Sequence, residues 1–391
     1  MRMAHKDKRK VEIERGKSDN LTQSRFGLYE VYLEEKIMDI RFVERKDLKE
    51  KPDWNKLGFG KYFTDYMFAM DWDKENEWHD ARIIPYGPIE FEPACVVLHY
   101  AQETFEGLKA YRREDGKIQL FRPEMNAKRM QDSNERLCMP KVPVDIFVDA
   151  IKALVEKEKD WVPTLPNTSL YIRPVVFATE EALGVHMATN YTFLIILSPV
   201  GMYYAEGLDP VKIMIEDELV RAVQGGTGFT KCGGNYAGSI AGQVKAEKEG
   251  YDQVLWLDGA TKTYVEEVGS MNIMFKIDGE IYTAPIEGTV LPGITRDSML
   301  HILRDWGYKV NETHLKADDL MRFGHEGRLE EVFGTGTAAV ISPVGKLKYK
   351  DDVITINDMK TGELTQKLYD TLTGIQWGRL PDKYGWTVEV C

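Results

Sequence analysis

Long apolar runs are missing from this chain of 391 residues. None approaches the ~18 residues that a membrane-spanning helix needs, and the longest candidate, YTFLIILSPV (191–200), reads as a buried strand. Cysteine is scarce. Cys95, Cys138, Cys232 and Cys391 lie far apart, with no CxxC and no Cys/His cluster, which speaks against a disulfide framework or a metal site and favours a reducing compartment. Positive charge is also in deficit: a formal net charge of −12 argues against nucleic-acid binding through phosphate contacts. The opening MRMAHKDKRKVEIERGKSDN lacks the apolar stretch of a signal peptide and is too acidic for a transit peptide. A solvated, mobile start of about twenty residues and a cytoplasmic location are expected from it. No internal repeat or low-complexity tract is present.

What the chain does contain is globular: 43% hydrophobic and 29% charged residues. Its length exceeds one ordinary core, so two α+β domains are expected. The smaller would span residues 1–200 and the larger 212–391, joined at 201–211 by GMYYAEGLDP, whose glycines and proline suit a linker. Strands are expected at KIQLF, SLYIRPVVFAT, YTFLIILSPV and VKIMIEDELVRA, and paired strands at QVLWLDG and TYVEEVG. In NIMFKIDGEIYTAPI, Asp278-Gly279 between alternating apolar runs predicts a hairpin. LEEVFGTGTAAVISPV returns to strand, with GTGT (334–337) as a turn. Helices are expected at PEMNAKRMQDSNERLCM with Pro123 in its first turn, at 144–162, at 239–250 and at SMLHILRDWG and ADDLMRFGHEG.

Chemistry concentrates around a glycine cluster, GGTGFTKCGGNYAG (225–238), that holds a single lysine, Lys231. Glycines there mean a sharp turn or a close approach of the backbone. A Walker phosphate loop fails, because Thr230 precedes the lysine and Cys232 follows it. A lysine among small residues suits a Schiff base with a carbonyl cofactor; a glycine-rich turn with a solvated lysine is equally compatible with the pattern. In TYVEEVGSMN, Glu266 and Glu267 must face opposite sides of a strand, so at most one is expected to be buried. A buried carboxylate needs a cation, and a protonated pyridine nitrogen would serve. LPGITR (291–296) opens a helix and GTGT (334–337) offers backbone donors, so either could cradle a phosphate. Arg129, on a helix, could add its guanidinium fork.

These pieces stand within FGKYFTDYM, LHYAQETFEGLKAYR, LFRPEMNAKRM, SLYIRP, LSPVG, GGTGFTKCGGNY, QVLWL, EVGSMN, LPGITR and EVFGTGTA. Ten motifs in this order resemble the branched-chain amino acid aminotransferases, in their longer subgroup, over the chain from about residue 50 onward. The resemblance implies a two-domain fold-type IV architecture, D-amino acid aminotransferase-like, with the active site between the domains and pyridoxal 5′-phosphate as cofactor. It implies that Lys231 carries the cofactor and shuttles the proton, that Glu267 pairs with the ring nitrogen, and that Tyr236 hydrogen-bonds the ring hydroxyl. The phosphate would lie among Arg129, Ile294, Thr295 and Thr337, with Arg221 nearby and Leu291 and Ser270 also in the cofactor site. Phe59, Phe105, Tyr171 and Tyr203 would line the substrate pocket, Arg173 would assist with a carboxylate, and the Thr337–Ala338 backbone would receive the α-carboxylate. Tyr100, Leu183 and Val185 would cross a homodimer interface.

The implied reaction moves an amino group between leucine, isoleucine or valine and 2-oxoglutarate, with neither membrane nor nucleic acid as partner. Two departures stand out. Ser270 occupies a position where many relatives have Thr and keeps the hydroxyl. Ala339 and Ser342 stand where mammalian relatives carry a CxxC, so a thiol switch is not expected there. Other enzymes of the same scaffold, D-amino acid aminotransferases or aminodeoxychorismate lyases, are the nearest alternatives, and a nucleotide-binding protein is a more distant one. Borohydride reduction of the holoenzyme should fix the cofactor to Lys231 alone; peptide mapping that finds label on any other lysine would overturn the assignment.

Overall fold

The computed structural model describes residues 38–201, 208–269 and 271–391. The start expected to be mobile lies outside the described residues, as do most of the expected linker, Tyr203 and Ser270. Two nine-stranded sheets dominate the described residues. The first runs in the order Arg41–Phe42, Glu77–Pro85, Tyr66–Asp73, Asn190–Val200, Ser169–Ala178, Leu108–Arg112, Ile118–Phe121 and Thr387–Glu389, with Glu103–Phe105 paired to Ser169–Ala178. Apart from the short first strand it is antiparallel. The hairpin Tyr66–Asp73/Glu77–Pro85 has no glycine in its turn. The Asp73 side chain accepts from the Glu75 and Asn76 amides, both at 2.8 Å, and so supplies the turn chemistry itself.

The second sheet runs Val265–Val268, Gln253–Leu257, Val211–Glu216, Val340–Tyr349, Leu329–Gly336, Met271–Ile277, Glu280–Thr283 and Val310–Glu312, with Asp352–Thr355 beside Val340–Tyr349. Val265–Val268 also pairs with Met271–Ile277, which closes part of the sheet on itself. The Asp278-Gly279 hairpin is present, with φ of 49° and 78°, the left-handed pair that a tight turn between twisted strands requires. The turn expected at GTGT is part of a hairpin: Leu329–Gly336 turns at Thr337–Ala339 and returns as Val340–Tyr349.

Helices cover these sheets. Pro123–Arg136 begins with Pro123 in its first turn. Val144–Lys157 ends before the expected point, and a short 3-10 turn, Lys159–Trp161, follows it. It buries Phe147, Ala150, Ile151, Leu154 and Val155, the i, i+3, i+4, i+7, i+8 stripe of a core-facing helix. The helix after the glycine cluster starts at Gly233, six residues before the expected 239. Glycine is a poor helix former, but Glu103 accepts the Gly233 amide hydrogen bond from across the molecule. A tertiary cap thus sets where this helix begins.

A further helix, Glu363–Gln376, packs with Ile294–Asp305 against the second sheet, and their shared core reaches Tyr111 and Phe121 of the first. This apolar seam joins the two halves. Phe147 is fully buried and stacks on Phe193 with centroids 5.8 Å apart. Phe147→Ala should lower unfolding free energy by about 3–5 kcal/mol, read as a drop in the denaturant midpoint at unchanged slope.

Candidate active site

Local backbone chemistry puts Lys231 in a fixed place. Gly225 takes φ of +77° at the start of the loop, a conformation that side chains with a Cβ resist. Gly233 ends it against the Glu103 carboxylate, where a Cβ would collide. Between them, the Lys231 amide donates to Ser133 Oγ at 3.0 Å and its carbonyl accepts from Phe105 N at 2.9 Å. The Lys231 ammonium donates to Tyr236 Oη at 2.8 Å and lies 4.8 Å above the Phe105 ring. Lys231 is therefore no solvated turn lysine. It points into a cavity of about 380 Å³ between the two halves.

The cavity walls come from both. Phe59, Phe105, Tyr171 and Arg173 line it from the first half, and Lys231, Tyr236, Asn272, Leu291, Ile294, Thr295, Thr337 and Ala338 from the second. Arg129, on Pro123–Arg136, also reaches it. Cofactor and substrate candidates scattered over some 280 residues of sequence thus meet in one space.

Glu266 and Glu267 face opposite ways, but both are buried, at 8% and 3% exposure. The expectation that only one would be buried is corrected, because groups from elsewhere in the chain cover both side chains, Thr289 at Glu266 and Arg221 at Glu267. Glu266 accepts from Thr289 Oγ1 at 2.6 Å. Glu267 sits 2.6 Å from the Arg221 guanidinium and is approached at 3.4 Å by Asn272 Nδ2 and the Leu291 amide. Burial nevertheless pushes the Glu267 carboxyl up to about 7, since Arg221 offsets only part of the desolvation. Glu267 is a buried acid short of positive charge. Arg221 is placed differently from the expected phosphate position: besides Glu267, its guanidinium donates to the carbonyls of Thr289 and Gly228. A carboxylate at 2.6 Å is its strongest available partner.

Part of the cavity suits an anion. The helix Ile294–Asp305 begins there with Gly293 as N-cap and no side-chain cap, and Ile294, Thr295 and Thr337 line the space. Arg129 is held rigidly beside it. Its Nε and Nη2 donate to Glu106 at 2.8 Å, and Nη1 to the Pro292 carbonyl at 3.1 Å. A lysine held by a tyrosine, an anion seat, and a buried acid whose desolvation Arg221 only partly offsets fit pyridoxal 5′-phosphate, with aldehyde, phosphate and ring nitrogen matched to those groups in turn.

The substrate wall is aromatic. Phe59 and Tyr171 pack edge to face at 4.9 Å, and Phe105 meets Tyr236 at 4.9 Å. Arg173 donates to Tyr171 Oη at 3.0 Å and lies 4.7 Å over the Phe105 ring. Its buried Nε has no partner among the described residues. Tyr100, Leu183 and Val185 do not line this cavity in the single chain. They are 39%, 71% and 88% exposed, and Tyr100 Oη accepts from the Gly184 amide at 2.8 Å.

Sequence reasoning quoted but did not assign Glu103, Glu106, Lys109, Ser133 and Asn272. Each acts through a partner distant in sequence, so no local pattern marked it. Only the two acidic residues inside QETFEG (102–107), among apolar neighbours destined for burial, offered a signal. Of the two glutamates in the strand, Glu267 should control the cofactor ring: Glu267→Gln should reduce turnover by at least a hundredfold and shift the bound cofactor's absorbance, while Glu266→Gln should leave the spectrum in place. Equal spectral changes in both would reverse the register.

Comparison with known proteins agrees with this geometry. Residues 103–347 match the class IV amino-transferase family. The chain is 54% identical over 342 residues to branched-chain-amino-acid aminotransferase 2 of Bacillus subtilis, covering 88% of this chain and 94% of that protein. It is 47% identical to the Mycolicibacterium smegmatis branched-chain-amino-acid aminotransferase, covering 85% of this chain and 92% of that one. Among solved structures, the Escherichia coli branched-chain amino acid aminotransferase superposes with a TM-score of 0.69 at 26% identity, over 84% of this chain and 99% of the other. The T.th. enzyme of the same name, solved with pyridoxamine 5′-phosphate, gives 0.69 at 28% identity, over 82% and 98%. With the lysine, the acid and the aromatic wall in one cleft, the chain belongs to the branched-chain amino acid aminotransferases, within the class IV amino-transferases.

Proposed function

We infer that this enzyme reversibly transfers the amino group of L-leucine, L-isoleucine or L-valine to 2-oxoglutarate, giving the branched-chain 2-oxo acid and L-glutamate. The observation that carries this reading is the aromatic cavity beside Lys231, with Arg173 in its wall. Pyridoxal 5′-phosphate, when bound, supplies an electron sink for negative charge at the substrate Cα. Lys231 would hold it covalently between turnovers and, once released, move the proton at Cα as general base and acid. Tyr236 orients the Lys231 ammonium now and would serve the ring hydroxyl. Glu267, made a reluctant acid by burial, would keep a proton on the ring nitrogen. Arg129, the Ile294 and Thr295 amides and Thr337 would hold the phosphate, with Leu291 and Ser270 beside the ring.

Phe59, Phe105, Tyr171 and Tyr203 would bury an aliphatic side chain, at about 0.8 kcal/mol per methylene, and so favour leucine over alanine. The Thr337–Ala338 backbone would receive the α-carboxylate. A homodimer is proposed as the working form, because the exposed Tyr100, Leu183 and Val185 would then border the partner's pocket. The proposed domains, 1–200 and 212–391 joined at 201–211, are supported by the two sheets, although Thr387–Glu389 returns to the first. Four free cysteines are consistent with work in the cytoplasm, and no helix among the described residues is long and apolar enough to cross a membrane.

Glutamate brings a second carboxylate that an aromatic wall cannot solvate. Arg173, with its unpartnered Nε, and the Tyr171 hydroxyl would receive it. Arg173→Ala should therefore slow the glutamate half-reaction at least tenfold more than the leucine half-reaction in single-turnover absorbance measurements. Equal losses would assign Arg173 to the shared α-carboxylate, and absence of any leucine half-reaction in the wild type would sink the proposed reaction.

A further inference from the structure

One buried charge in the cleft has no role in the chemistry described so far. Lys109, on Leu108–Arg112, is only 5% exposed. Its ammonium donates to the Ala338 carbonyl at 2.8 Å, across 229 residues of sequence, and no carboxylate pairs with it among the described residues. Lysine carries further N–H donors than one carbonyl can satisfy. A buried cation without a counter-ion is costly, and burial pulls this ammonium down to about 7.

The group it grips is a strained turn. Thr337–Ala339 links two strands at the cavity wall, and Val340, immediately after, has φ of +63°. For a β-branched residue that conformation is a true outlier, and such strain persists only where the surroundings enforce it. Lys109 also sits directly across from Tyr171 in the first sheet, so its side chain leaves the same face of the sheet as the Tyr171 ring and reaches the turn beside it.

We propose that Lys109 positions the Thr337–Ala338 turn and that its uncompensated charge selects the substrate's carboxylate. Lys109 fixes the Ala338 peptide through its carbonyl, so that the turn's amides stay aimed at the cavity. The arriving carboxylate then supplies the counter-charge that the protein omits. The proposal rests on the reading that this turn receives the α-carboxylate.

The test compares 4-methylpentanoate with its neutral amide, 4-methylpentanamide, as ligands of the holoenzyme, titrated through the bound cofactor's absorbance. The wild type should prefer the acid. In Lys109→Met that preference should fall at least tenfold, with amide affinity and cofactor spectrum little changed, and Lys109→Arg should retain it. Lys109→Gln keeps a donor for Ala338 without the charge and should lose most of the preference, so it decides the matter if Lys109→Met fails to fold. An unchanged acid-to-amide ratio in the neutral variants, or an equal loss of both ligands, would overturn the role of Lys109 alone. A wild type that does not prefer the acid would instead remove the underlying carboxylate reading.

Discussion

Glu106 is completely buried, and the cleft is organised around what that carboxylate must have. It accepts from Arg129 Nε and Nη2 and from Asn126 Nδ2, at 2.7–2.8 Å. Burial alone would push its carboxyl up, but Arg129, Lys231 and Asn126 more than offset that and hold it below its ordinary value. The remaining Arg129 nitrogen donates to Pro292 in the other half. One ion pair therefore links the strand region before Gly107, the helix Pro123–Arg136 and the loop that opens Ile294–Asp305. Removing either partner would strand a buried charge, a loss on the order of 3–5 kcal/mol. Arg129 consequently presents the cavity with a guanidinium that cannot swing away.

The cleft's other charges are left incomplete. Glu267 has Arg221 at 2.6 Å and still sits at about 7, and Lys109 has a carbonyl but no acid. A protein selected for stability alone would gain little from either. In the proposed roles both deficits would be met on binding, by a protonated ring nitrogen at Glu267 and by a substrate carboxylate near Lys109. Electrostatic preorganisation of this kind is present before the reaction begins. The apolar seam around Tyr111, Phe121, Met299 and Leu368 keeps the two halves in the register that this balance needs.

Much of the site was legible from local pattern. Lys231 stood out because glycines crowd one lysine, Thr295 and Ile294 because LPGITR opens a helix, and the Asp278-Gly279 hairpin because both positions favour positive φ. The Lys231 helix was placed too late, because glycine propensity forecast a loop and Glu103 caps the helix from elsewhere. The reversal beside GTGT was legible as a turn, and the structure places it at Thr337–Ala339.

The sequence by itself determined most of the elements, the candidate lysine and the family, since these depend on residue type at short spacing. Tertiary structure alone decided how charge is distributed. Glu266 and Glu267 are both buried only because Val265–Val268 is covered on both faces, and Arg221 serves Glu267 because folding brings them within 2.6 Å. Glu106, Lys109 and Asn272 acquire their roles from partners that close approach creates. A residue's electrostatic surroundings depend on which distant groups exclude water from it, and no local pattern encodes that.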